Sequence, residues 1–242
     1  MTLQLYVGIT LYSAQDPEAT AFAVDGSTIA WIGPEDSALA LYGDGAEIHR
    51  YDGALVTPTF VDVLPVGAGD GTDAAWLARA AARGVSGAVP GEAGMRDGVL
   101  AVAPAATPGT PYLELLSGGT PLAFGSGDAD HEDPWAWVRA AAHEGPEDQR
   151  ISDRAAFLAA TRGSRRLAGI AHPGSIVPGA EATFVVWEPW DLTVRGQDER
   201  IQTWSTDPRS RTPMLPDLSE GAPRALRTVV DGRIVHEAPE GR

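Results

Sequence analysis

The chain has 242 residues, a formal charge of −15 and no cysteine. Its hydrophobic fraction of 43% and charged fraction of 21% are those of an ordinary folded protein, and its length permits one large domain or two small ones. The acidic balance argues against nucleic acid, which needs an extended basic face, and against an anionic membrane surface; the missing thiols exclude disulfides, cysteine nucleophiles and thiolate-bound metals.

All 18 basic residues are arginine. Without lysine there is no Schiff base, no catalytic amine and no carbamylated lysine. No segment approaches the roughly 20 apolar residues of a membrane span. Met1–Tyr6 lacks the basic region and apolar run of a secretory signal. A cytoplasmic protein is expected.

The chain begins with short strands. Leu3 to Leu11 is rich in β-formers, and Thr20–Val24 and Thr28–Ile32 flank the hairpin signal Asp25-Gly26-Ser27. A short helix follows Pro34, with Ser37 to Leu41 as its body. Glu47–Tyr51 and Ala54–Val56 read as further strands, and Val56–Val66 as an apolar run suited to a buried parallel strand. Thr72 is placed to cap a helix over 73–83 that closes at Gly84. Val85–Val89 and Val99–Val102 suit strands, 103–111 is a loop, and Leu113–Leu116 and Pro121–Phe124 are short apolar pieces. Asp133-Pro134 and Ser152 each open a helix, the second ending near Gly163. At the far end Ala182–Glu188 is β-branched, and Leu226–Val230 pairs with Arg233–His236 across Asp231-Gly232.

Several ordered motifs resemble one family. Asp25-Gly26, Ile29–Gly33 and Tyr51-Asp52-Gly53-Ala54-Leu55-Val56-Thr57-Pro58-Thr59-Phe60-Val61-Asp62 are similar to the start of metal-dependent amidohydrolases, where a sandwich strand runs into the first barrel strand through G-x-x-V-x-P-G-F-(I/V)-D-x-H-x-H. Pro121–Ser126 resembles the last barrel strand, and Asp133–Arg139, Arg162–Gly169 and Ile176–Trp187 the helices and returning sandwich strand. The branch acting on exocyclic or N-substituted amides is the nearest in pattern. The resemblance implies a (β/α) barrel beside a β-sandwich, and a hydrolase that uses one or two divalent metals to make hydroxide at neutral pH.

At the positions where that family holds its metals, this chain has other residues. The two histidines of the frame are Leu64 and Val66, neither with a lone pair to offer. The bridging lysine cannot exist, and the aspartate expected after Gly125-Ser126 is Gly127, with Asp128 one residue late. No metal ligand, catalytic residue or cofactor is therefore expected at the family positions. The segment from Thr59 to Gly174 is less than half the roughly 250 residues of a closed eight-unit barrel.

The one local cluster with chemical potential is Asp128, Asp130 and His131, with Glu132 and Asp133 beside them. Carboxylates and an imidazole there suit a hard cation or acid–base work; the plainer reading is a solvated acidic loop in which Asp133 caps the next helix. His49, His143, His172 and His236 have no partner at ligand spacing. Ser126 and Ser205 lack a nucleophile elbow. Trp135 and Trp137, two apart on a helix, predict one core residue and one at the sandwich or a partner. Trp204–Pro216 reads as a proline-punctuated excursion between strands.

The expected architecture is α/β plus β: a composite β-sandwich from residues 1–58 and 175–242, with 59–174 as a reduced, incomplete TIM-barrel-like α/β layer. The expected function is an amidohydrolase-like protein without the family's metal ligands, inactive in hydrolysis and kept for structure or interaction. A cut-down barrel leaves edges uncovered, so a homodimer or association with a full-length relative is expected. The alternative is a divergent hydrolase of non-peptide C–N bonds built around Asp128–His131.

Overall fold

The computed structural model describes residues 3–193 and 213–239. β1 (Gln4–Leu11) pairs antiparallel with β2 (Ala21–Asp25), which turns through Gly26 into β3 (Thr28–Gly33). Pro34 stands immediately before α1 (Glu35–Tyr42), where its missing N–H is no loss, and α1 lays Ala38 over Leu5, Val7, Ala21 and Ala23. β4 (Glu47–Pro58) then runs parallel to β1.

The middle of the chain is α/β. β5 (Phe60–Asp62), α2 (Ala74–Ala81) and β6 (Val85–Ala88) make a parallel unit. β7 (Gly94–Arg96) hairpins into β8 (Val99–Val102), α3 (Tyr112–Ser117) follows, and β9 (Leu122–Phe124) lies parallel to β8. α4 (Pro134–Arg139) continues through a widened helical turn, Ala140–Glu144; α5 (Asp153–Leu158) continues likewise through Ala159–Gly163 into α6 (Ser164–Leu167). The chain returns as β10 (Phe184–Trp187), the short pair β11 (Leu192–Thr193) and β12 (Leu215–Pro216), then the hairpin β13 (Ala225–Val230) and β14 (Arg233–Glu237).

Both β-rich ends join one mixed seven-stranded sheet of order β14-β13-β10-β4-β1-β2-β3. The sheet curls strongly. β2 and β10 lie three places apart, which at ~4.8 Å per strand is about 14 Å if flat, yet the rings of Phe22 and Phe184 meet edge-on at 4.9 Å. Backbone bonds tie the two ends: Ile29 N–H donates to Ala180 O at 2.8 Å and Ala182 N–H to Ser27 O at 2.7 Å. The two Asp-Gly turns abut so closely that a Cβ on Gly232, itself at φ +73°, would stand 2.0 Å from Gly26 O. Tyr6, Phe22, Val56, Phe184 and Val186 fill the hollow.

The other face carries Leu55, Val185 and Trp187 onto Phe60, Trp135 and Phe157. The parallel strands of the middle region form short, separate ladders, so there is no closed barrel. The run read as one strand over 56–66 is broken at Thr59 and ends at Asp62. One other expectation needs correction. Asp73, and not Thr72, caps α2, accepting from Trp76 N–H at 2.6 Å. Leu113–Leu116 lies within a helix. Trp135 and Trp137 are both fully buried: Trp135 stacks with Phe157 and meets Trp187 of the sheet edge-on, while Trp137 donates Nε1–H to His131 O at 2.6 Å. The excursion at Trp204–Pro216 lies mostly outside the described residues.

Candidate functional site

The C-terminal ends of β5 and β9 meet at Asp62. Its Oδ1 accepts from Leu64 N–H at 2.9 Å and Ser126 N–H at 3.0 Å, and the side chain is buried. Ser126 Oγ donates to Leu64 O and Gly127 N–H to the same carbonyl at 3.0 Å. Asp62 thus bridges two strands that belong to separate ladders. Gly125 is needed for this approach, since a Cβ there would stand 2.5 Å from Asp62 Oδ1 and 2.6 Å from Leu64 N. Burial raises the Asp62 pKa above its ordinary value, against the hydrogen bonds from Ser126 and Leu64.

A carboxyl with a raised native pKa binds its proton more tightly folded than unfolded. Its contribution to stability therefore grows as pH falls through that raised value towards 3.8 and is lost as pH rises. Asp62→Asn is expected to remove this component: the stability difference between wild type and variant, from urea unfolding at pH 7 and pH 4.5, shifts in favour of wild type at the lower pH. A difference that moves the other way, or not at all, contradicts the assignment.

Leu64 and Val66 follow β5 without belonging to it. Leu64 is buried against Val63, Ala101 and Ala123, whereas Val66 is 44% exposed. Gly127 has φ +76°, and a Cβ at that position would meet Ala103 Cβ at 2.4 Å. Arg96, at the end of β7, belongs to no recognisable motif. Its Nη1 donates to Val63 O at 2.8 Å and its Nη2 to Pro90 O at 3.2 Å. A guanidinium therefore satisfies carbonyls just beyond the ends of β5 and β6. Its only sequence signal is an arginine flanked by Gly94 and Gly98.

Asp128 and His131 are brought together, with Oδ1 and Nδ1 2.7 Å apart, but at the surface. The same Oδ1 accepts from the backbone N–H of Asp130 and His131. The His131 bond and this turn lower the Asp128 pKa. Asp130 is exposed, Glu132 pairs with Arg83 at 2.6 Å, and Asp133 caps α4 by accepting from Trp135 N–H at 3.0 Å. Among the described residues no three of His, Asp and Glu converge on one point.

The remaining histidines are dispersed. His143 Nε2 meets the buried Asp153 Oδ1 at 2.5 Å, tying α4's extension to the start of α5. His49 packs against Tyr6 within the sheet, His172 Nδ1 accepts from Gly174 N–H, and His236 lies on the edge strand β14. Ser126 is locked between Asp62 and Leu64, and Ser205 lies outside the described residues.

Divalent-metal hydrolysis needs lone-pair donors. Leu64, Val66 and Gly127 supply none, and the Asp62 Oδ1 that would remain is already held by two backbone donors. The residues at these positions do not fit a metal.

The fold is similar to that of several solved hydrolases at low identity. Guanine deaminase from E. coli superposes with a TM-score of 0.60 and 14% identity, over 99% of this chain and 100% of that one. Triazine hydrolase from Arthobacter aurescens gives 0.61 and 14%, over 98% and 95%. An enamidase of the amidohydrolase superfamily gives 0.55 and 15%, over 97% and 96%. No curated protein matches in sequence. No described helix is long and apolar enough to cross a membrane. A sequence model described as the amidohydrolase family matches residues 69–236, which is more than half of the chain. The chain therefore belongs to the amidohydrolase family.

Proposed function

We propose that this chain does not perform the metal-assisted hydrolysis of its family and is retained for a structural or interaction role. The curled sheet then serves as a reduced form of the family's sandwich, and residues 59–174 as an opened remnant of its barrel. The observation that carries this reading is the knot at Asp62: the carboxylate beside the family's metal position spends its Oδ1 on Leu64 and Ser126 N–H, next to the side-chain positions of Leu64 and Gly127, which offer no lone pair to a metal. Arg96 supports it by bonding the carbonyls beside that position.

The reading is tested by trying to restore the position. Gly127→Asp is expected to destabilise by about 3 kcal/mol in urea unfolding, from overpacking on Ala103 and from a side chain at φ +76°. It is expected to gain no zinc-dependent amidase activity when combined with Leu64→His and Val66→His. Zinc-stimulated turnover of a simple amide by wild type would overturn the proposal.

Association with a second copy or with a full-length relative completes the reading, because the edge strand β14 exposes Ile234 and Val235. Light scattering at working concentration is expected to give a dimer mass; a monomer removes homodimerisation. One observation favours a second reading, a divergent C–N hydrolase: the 2.7 Å contact of Asp128 and His131 is the arrangement of an acid–base pair. Replacing Asp128, Asp130 and His131 together by alanine abolishes a wild-type C–N hydrolysis on that reading; any such turnover that survives the triple replacement disposes of it.

A further inference from the structure

At the N-terminal end of β5, away from the Asp62 end, lies a cavity of about 100 Å³. A water needs roughly 10–15 Å³ of such space, so several waters or one small ion fit. Tyr12 from beyond β1, Arg154 from α5, Thr161 and Arg162 from its widened extension, and Gly174 and Ser175 from the returning loop line it. Among the described residues no carboxylate lines it, although the chain as a whole carries a charge of −15.

Among the described residues neither Arg154 nor Arg162 has a carboxylate within ion-pairing distance. Tyr12 lines the cavity beside Arg154 and Arg162, and its hydroxyl can donate as well as accept. Behind the wall, Arg165 is buried with Nη2 on Thr59 Oγ1 at 2.6 Å and its Nε without a partner. It presses on the loop at Gly174, where a Cβ would stand 2.7 Å from that Nε. Two guanidiniums and a phenol thus line a small cavity, with a third guanidinium behind its wall and no carboxylate in the lining among the described residues.

We propose that this cavity binds a phosphate-sized oxyanion, with Arg154, Arg162 and the Tyr12 hydroxyl as its donors. Charge-assisted bonds from guanidinium are the strong ones, and two of them beside a phenol suit a small anion with several acceptor oxygens. The acidic balance of the chain excludes an extended basic face, not one pocket. The site is independent of the Asp62 region, so it stands whether or not the chain hydrolyses anything.

Isothermal titration of the full chain at low chloride, with inorganic phosphate and separately with phenyl phosphate, tests this. Saturable one-site binding of either is expected. Tighter binding of phosphate identifies a free anion; tighter binding of phenyl phosphate identifies the phosphoryl group of an organic molecule. Both arginines are exposed, so Arg154→Gln with Arg162→Gln is expected to fold and to bind at least ten-fold more weakly. Tyr12→Phe keeps the ring against Phe157 and is expected to weaken binding several-fold. Absence of saturable binding to either compound in wild type, or unchanged affinity in the folded double variant, overturns the proposal.

Discussion

Trp187→Ala is expected to cost about 4 kcal/mol of stability in urea unfolding. Trp187 ends β10 and is the main side chain joining the curled sheet to the α/β layer. It meets Trp135 edge-on at 5.2 Å and Phe60 at 6.1 Å, and its Nε1–H donates to Thr57 Oγ1 at 2.8 Å. The loop at Gly84 closes directly on its ring, leaving no room for a Cβ. Truncation opens a cavity the size of an indole between two layers that cannot collapse without moving a strand. Trp187→Phe keeps most of the volume and loses only the hydrogen bond and part of the packing. It is expected to cost about 1–2 kcal/mol. Equal losses for the two variants would mean that the ring's contacts are not what joins the layers.

Gly163→Ala is expected to cost about 3 kcal/mol, although alanine is normally the better helix former. Gly163 has an ordinary helical φ of −62°, so the glycine is not there for its backbone freedom. It is there because a Cβ would stand 1.9 Å from Leu122 O, a backbone atom of β9 that cannot swing aside. The helix pressed onto β9 at this point brings Ser164 Oγ within 3.0 Å of Phe124 O, and that bond would be strained as well. Gly87→Ala on β6 is the control. Nothing lies within 4 Å of its Cβ position, and the exchange is expected to be neutral or to stabilise by about 0.5 kcal/mol. A neutral Gly163→Ala would mean the helix and β9 are not in this contact in solution.

Local signals in the sequence were the legible ones. The Asp-Gly pairs at 25–26 and 231–232 specify hairpins through positive φ, and Asp133 and Ser152 specify helix starts through side-chain caps. The one-residue error at Thr72 arises because Thr and Asp both cap well. Thr72 instead donates to Asp70, leaving Asp73 to take the role. α3 was too short to show a helical period, and Gly94-Met95-Arg96 carries no strand pattern at all. The curl of the sheet depends on bonds between Ser27, Ile29, Ala180 and Ala182, which no local window contains.

The candidate site divides in the same way. That Leu64, Val66 and Gly127 bring no donor is a matter of residue identity and is visible without a structure. That Gly127 has no room for a larger residue, and that Arg96 bonds the carbonyls beside Asp62, depends on Ala103, Val63 and Pro90 arriving from distant segments. The arginine-lined cavity was invisible for the same reason: Tyr12, Arg154, Arg162 and Gly174 meet only in the fold. Family membership follows from motifs and from fold, whereas activity depends on particular donors at particular atoms.

The proposed absence of a metal centre at the family position is tested by elemental analysis of the purified, tag-free protein, produced with zinc and manganese supplied. No stoichiometric transition metal is expected; one zinc or manganese per chain, retained through gel filtration, would contradict the proposal.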